Sequence, residues 1–173
     1  MYANLVHFID KSMAIFGGKN SAATLTATIS VLGEKQWVCQ DSGIPDLPVP
    51  LAKTLAFSDD GKLTVCGGVD DAVIEVPLSA CYALDLEAEQ RAWQPDGSLT
   101  LPYIGDHAHV YDGQAHLIGA LGVSGQVMDL ASGVWSPSAA PAYPFAEFAS
   151  CSSGGSIFVI GGTSVGGITY VGG

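Results

Sequence analysis

The segment Asp106-His107-Ala108-His109-Val110-Tyr111-Asp112-Gly113-Gln114-Ala115-His116 holds three of the chain's four histidines. Asp-Gly between alternating apolar residues predicts a two-residue hairpin turn, because both central residues must reach positive φ. A turn at Asp112-Gly113 sets Tyr111 opposite Gln114, Val110 opposite Ala115 and His109 opposite His116. Strand alternation puts His107 on the face of His109. Three imidazoles then share one sheet face, a donor set that suits zinc or copper. The competing reading is that His107, His109 and His116 fill space between packed sheets and bond to backbone, and on that ground no metal is assigned. Close imidazoles also resist simultaneous protonation, so the same cluster could respond to pH. Tyr111 is expected on the face opposite His109, apart from this donor set.

Four cysteines follow a different logic. Cys66 closes an apolar run before Gly67, and Cys81 opens the next one. If these runs are adjacent antiparallel strands, the two residues face each other within the ~5.5 Å Cα separation a disulfide prefers. The enclosed loop is 14 residues, Gly67 to Ala80, and closing it would contribute roughly 3 kcal/mol. The alternative is a pair of buried thiols. A bridge would imply an oxidising compartment. Cys39 and Cys151 fall on different kinds of strand and are not expected to pair. Paired carboxylates occur as Asp59-Asp60, Asp70-Asp71 and Glu87/Glu89, in predicted turns and loops, where solvation accounts for them. The chain has no phosphate loop and no His-Glu-x-x-His. No catalytic or cofactor-binding residue is therefore assigned, no cofactor is expected, and the expectation is that the chain is not an enzyme.

The elements that must position these residues recur. Four apolar runs end in Gly-Gly or a near variant: Ala14 to Gly17-Gly18, Thr64 to Gly67-Gly68, His116 to Gly119-Ala120 and Phe158 to Gly161-Gly162. Their first glycines are 50, 52 and 42 residues apart. After each of the first three comes a short strand, a turn and a tryptophan: Trp37, Trp93 and Trp135. A proline-containing connector follows each tryptophan, at Pro45 to Pro50, Pro95 to Pro102 and Pro137 to Pro144. Before each diglycine lies another apolar strand with a tight turn, clearest at Phe57 to Lys62 and Val110 to Gln114. A period of about 40–50 residues with a glycine signature indicates a propeller or a similar array. Each unit reads as four antiparallel strands, a to d, with glycines where backbones crowd at the end of b. The tryptophan offers an apolar face on which the next unit packs.

The diglycine closing strand b, Tyr82 on strand c and the later tryptophan resemble the kelch motif over nearly the whole chain. The resemblance implies an all-β, kelch-type β-propeller of about 3.5 four-stranded blades, at approximately 1–50, 51–102, 103–144 and an incomplete 145–173. Strands a and b of the last blade are expected near Phe148 to Ile160, with strand c at Ile168 to Val171. An unclosed propeller leaves a strand edge bare. Three resolutions stand: a piece of a longer chain, copies that complete one another, or a small ring closing alone. The Cys-Gly-Gly…Cys-Tyr arrangement also resembles kelch repeats of secreted invertebrate proteins, which implies an extracellular location. Kelch propellers include copper-radical oxidases, so a metal-dependent oxidase piece is one alternative.

Composition narrows the partners. Seventeen Asp and Glu against six Lys and Arg give a formal net charge of −11, with no basic cluster for a phosphate backbone. Nucleic acid and anionic membrane surfaces are excluded as expected partners. No apolar run reaches the about 18 residues of a membrane span, and no secretory leader pattern stands at the start. The expectation is a non-enzymatic protein-interaction or scaffold module, part of a larger or oligomeric extracellular protein. Its partner would meet the loops between strands b and c, at 19–23, 69–79, 121–124 and 163–167, which differ most between repeats.

Overall fold

The computed structural model describes residues 4–7, 13–18, 25, 29–32, 37–38, 44–71, 73–105, 108–118, 124–139, 145–146, 148–161 and 163–164. Every regular element among them is a β-strand. Three sheets share one plan, four antiparallel strands in sequence order. The first contains β1 (Asn4–His7), β2 (Met13–Phe16), β3 (Ile29–Leu32) and β4 (Trp37–Val38). The second contains β5 (Leu55–Asp59), β6 (Lys62–Cys66), β7 (Leu78–Asp85) and β8 (Gln94–Tyr103). The third contains β9 (Ala108–Tyr111), β10 (Gln114–Leu117), β11 (Gln126–Asp129) and β12 (Val134–Pro137). Beyond them β14 (Ala149–Ser153) pairs with β15 (Ser156–Ile160), and β13 (Phe145–Ala146) with β16 (Thr163–Ser164). The fold is all-β and propeller-like. It divides into two compact units, residues 1–106 and 107–173.

Local chemistry explains the hairpins. Asp60 and Gly61 turn between Asp59 and Lys62 with φ of +42° and +74°. Asp112 and Gly113 do the same at +53° and +70°, and Gly154-Gly155 at +56° and +75°. Two consecutive left-handed residues match the right-handed twist of the flanking strands. The turns from c to d use another device. Asp85 Oδ1 accepts the amides of Glu87 and Ala88 at 2.8 and 3.2 Å. Asp129 Oδ1 accepts the amide and hydroxyl of Ser132, both at 2.8 Å. An aspartate at the end of a strand, folding the next residues onto its own carboxylate, is a turn mechanism in itself.

The core of the first unit sits on the second sheet. Leu63, Val65 and Leu84 are buried with Leu47 and Leu51, and Ile44, Val49, Tyr82, Leu86 and Trp93 pack around them. Leu47 and Leu51 belong to the proline-containing connector, whose leucines serve as core residues. Trp93 departs from expectation. It stands just before β8, and its Nε1 donates to the carbonyl of Pro45 at 2.9 Å. It therefore packs on the connector preceding its sheet. β8 continues to Tyr103, next to the approximate boundary expected between the second and third blades. Strand c of the last blade, at Ile168 to Val171, lies outside the described residues, as do Cys39, His107, Gly119 and Gly162 and the side chain of Trp37.

Candidate functional site

The end of β6 is tightly constrained. Gly67 and Gly68 have φ of +65° and +84°. A Cβ on Gly67 would stand 2.6 Å from the Tyr103 carbonyl oxygen, and one on Gly68 2.5 Å from that of Ala52. The crowding comes from backbone hydrogen bonds that hold the strand ends together. The Gly68 amide donates to Tyr103 O at 2.8 Å and the Gly67 amide to Ala80 O at 3.0 Å. Ala52 and Val69 exchange bonds of 3.1 and 2.9 Å. In the first repeat Gly18 donates in the same way to Leu51 O at 2.8 Å. The second glycine of the motif thus ties the end of β2 to the connector residue Leu51, 33 residues later, and the end of β6 to Tyr103 at the end of β8, 35 residues later.

A closed loop rises from this base. Cys66 and Cys81 are register partners on β6 and β7, with sulfurs at bonding distance, 2.01 Å, and Cα atoms 4.1 Å apart. Between them, Leu78 N donates to Gly68 O at 2.9 Å. Asp71 Oδ1 accepts the amides of Val73 and Ile74 at 2.7 and 3.0 Å. Those bonds hold the Asp71 carboxyl below its ordinary range. Lys53 Nζ reaches Glu75 Oε2 at 2.7 Å and ties the loop to the connector before β5. Glu75 keeps a φ of +50°, a conformation side chains seldom take, which this ion pair accompanies. The tip of the loop presents apolar side chains outward: Val73 is 89% exposed, Ile74 70% and Val76 56%. The sequence marked 69–79 as a variable loop, but its composition did not reveal which side chains point to solvent.

In the second unit the hairpin register is the one its Asp-Gly turn dictates, with His109 opposite His116. Tyr111 is a correction. It was expected on the face opposite His109, yet residues two apart on a strand share a face. Its ring stacks on His116 with centroids 4.2 Å apart and planes 7° from parallel. His109 Nε2 and Ser150 Oγ of β14 share a hydrogen bond of 2.7 Å, a pairing across 41 residues that no local pattern announced. His116 Nε2 is buried without a hydrogen-bond partner among the described residues. Desolvation lowers the His116 pKa below its ordinary value of 6.5. Among the described residues no three of His, Cys, Asp and Glu stand close enough to hold a metal ion. What the cluster does hold is a stacked Tyr–His pair and a link between β9 and β14.

The carboxylates separate by role. Asp60 forms a turn, Asp71 caps the closed loop, and Glu87 lies against the turn glycine Gly61. Lys62 Nζ pairs with Asp96 at 2.9 Å on an exposed surface, where such a pair contributes little stability. Among the described residues no helix is long and apolar enough to cross a membrane.

No family model matches the chain, and no curated protein matches it. A solved structure titled "Structure of YjhT" is similar to it in fold, with a TM-score of 0.74 at 14% sequence identity. The match covers 96% of this chain and 63% of that one, so the chain spans less than two thirds of its structural neighbour. At that identity the likeness concerns the fold alone.

Proposed function

We propose that the chain is part of a kelch-type β-propeller and serves as a non-enzymatic protein-interaction module of an extracellular protein. One observation carries this reading: the loop closed by Cys66 and Cys81 holds Val73, Ile74 and Val76 in solvent on a fixed base. Exposed apolar side chains cost solubility unless something uses them, and contiguous exposed apolar groups are typical of interaction sites. Rigid presentation lowers the ordering cost of binding. The bridge fits an oxidising compartment, where such bonds persist. The diglycines, the strand order and the tryptophans support the kelch assignment.

The test uses the full chain with Val73→Asp and Ile74→Asp together, compared with wild type and with Val134→Asp at an exposed valine of β12. A protein partner retained by wild type and by the β12 variant but lost by the loop variant supports the reading. Equal retention by all three contradicts it.

A second reading has its own observation. The hairpin β14–β15 exposes Ala149, Cys151, Phe158 and Ile160 on one face, with Phe158 50% and Ile160 59% exposed. Copies of the chain could cover one another there, as a self-assembling structural unit requires. A mass in solution equal to one chain at all concentrations would contradict that second reading.

A further inference from the structure

Resting on the interaction reading above, we infer that the loop tip formed by Val73, Ile74 and Val76 seats in an apolar cleft of a protein partner whose rim is lined by Lys and Arg. The tip supplies the apolar element, since Val73, Ile74 and Val76 are short, branched side chains that fill a cleft without large loss of rotamer freedom. Charge supplies the rim. Asp70 and Asp71 are exposed beside the tip. The Asp71 carboxylate is stabilised in its charged form by the Val73 and Ile74 amides, so it carries negative charge at neutral pH. Lys53 Nζ pairs with Glu75 at the base of the loop. The whole chain adds a net −11, which attracts a basic rim and repels acidic surfaces. The same charge disfavours anionic lipid. The loop also lacks the aromatic and basic residues by which proteins lodge at a bilayer surface. The disulfide and the bond from Leu78 to Gly68 fix the tip before binding, so the oxidised form is the competent one.

The experiment begins with a photoreactive residue at position 74 of the full chain and a control at position 134. The protein captured at 74 and not at 134 is then purified as the probe, and its binding to unlabelled chains is measured. Loss of about tenfold or more in affinity is expected for Ile74→Asp, as for a contact at the centre of an interface. Asp70→Lys, which leaves the loop's internal bonds intact, is expected to weaken binding severalfold and to flatten its dependence on salt. Reduction of the disulfide is expected to weaken binding in wild type. If Ile74→Asp leaves the affinity unchanged, or if nothing is captured above the control, both the loop reading and this inference fall. If Ile74→Asp weakens binding but Asp70→Lys and salt do not, the interaction reading stands and the basic rim is refuted. Binding of wild type, but not Ile74→Asp, to vesicles of phosphatidylcholine would replace a protein cleft with a lipid surface and overturn the inference.

Discussion

The sheet β5–β8 and the hairpin β14–β15 have the same beginning and opposite surroundings. Each starts as a strand, a two-residue turn with positive φ and a second strand ending in glycine. In β5–β8 the second strand is buried along Leu63, Thr64, Val65 and Cys66, and the sheet continues beyond it through a third and a fourth strand. In β15 the residues alternate between half-buried and exposed, β14 is mostly exposed, and the sheet has two strands among the described residues. The glycines differ accordingly. Gly68 needs both its left-handed φ and the space of a missing Cβ, whereas Gly161, at φ +68°, meets nothing within 4 Å among the described residues. One motif thus combines two separable constraints, backbone conformation and close approach, and the second arises only once a sheet is complete.

The largest effects should separate the two regions by burial. Leu84→Ala removes a fully buried side chain and should cost about 2–5 kcal/mol. Phe158→Ala, at a half-exposed position, should stay within about 1 kcal/mol. Denaturant midpoints of the two variants decide it, and equal losses would mean that the hairpin carries a core of its own.

Glycine replacement sharpens the same contrast. Gly68→Ala meets backbone strain and a carbonyl oxygen at 2.5 Å and should cost about 2–5 kcal/mol. Gly161→Ala meets strain alone and should cost about 1 kcal/mol. Thermal unfolding of the pair reads the difference directly.

The cysteines divide along the same line. Replacing Cys66 and Cys81 by Ala together should cost roughly 3 kcal/mol through the 14-residue loop they close. Cys151→Ser, at an exposed thiol of β14, should change stability by less than about 0.5 kcal/mol. Urea titration of both under oxidising conditions checks this, with mass mapping of the unreduced protein to locate the bridge.

The smallest effect concerns the second unit and pH. Burial lowers the pKa of His116 in the folded state. Below about pH 6.5 the unfolded chain therefore binds more protons than the folded one, and stability falls as pH drops through the lowered value. Above that ordinary value the contribution is fully present. Asp71 and Asp129, held below 3.8, remain charged throughout this window. His109 faces His116 across the strands and Tyr111 covers its ring. His116→Phe should flatten the loss of stability between about pH 7 and 5 seen in wild type, read as urea midpoints.

Much of this architecture is legible in the residues because it is local. Asp-Gly between apolar neighbours fixes the hairpins at Asp60-Gly61 and Asp112-Gly113, since few other pairs adopt two positive φ values cheaply. The all-β class follows from the repeated short runs and their glycines. What the residues did not disclose is non-local. The bond of His109 to Ser150 spans 41 positions, and that of Trp93 to Pro45 spans 48. The connector leucines Leu47 and Leu51 look like linker residues until the sheet that buries them is assembled. Tyr111 was misplaced although the rule was local, for period two sets it beside His109. The candidate loop was visible as a variable segment. Its outward valines and isoleucine follow from the Asp71 cap and the Lys53–Glu75 pair, which depend on the folded base.

Backbone hydrogen exchange on the full chain, with the disulfide intact and reduced, tests the fixed display of this loop most directly. The amides of Val73, Ile74 and Leu78 should be protected in the oxidised protein, despite the exposure of the side chains around them. On reduction they should lose protection while Val65 and Leu63 in β6 keep theirs. Free exchange of all three loop amides in the oxidised protein would contradict a preorganised interaction loop.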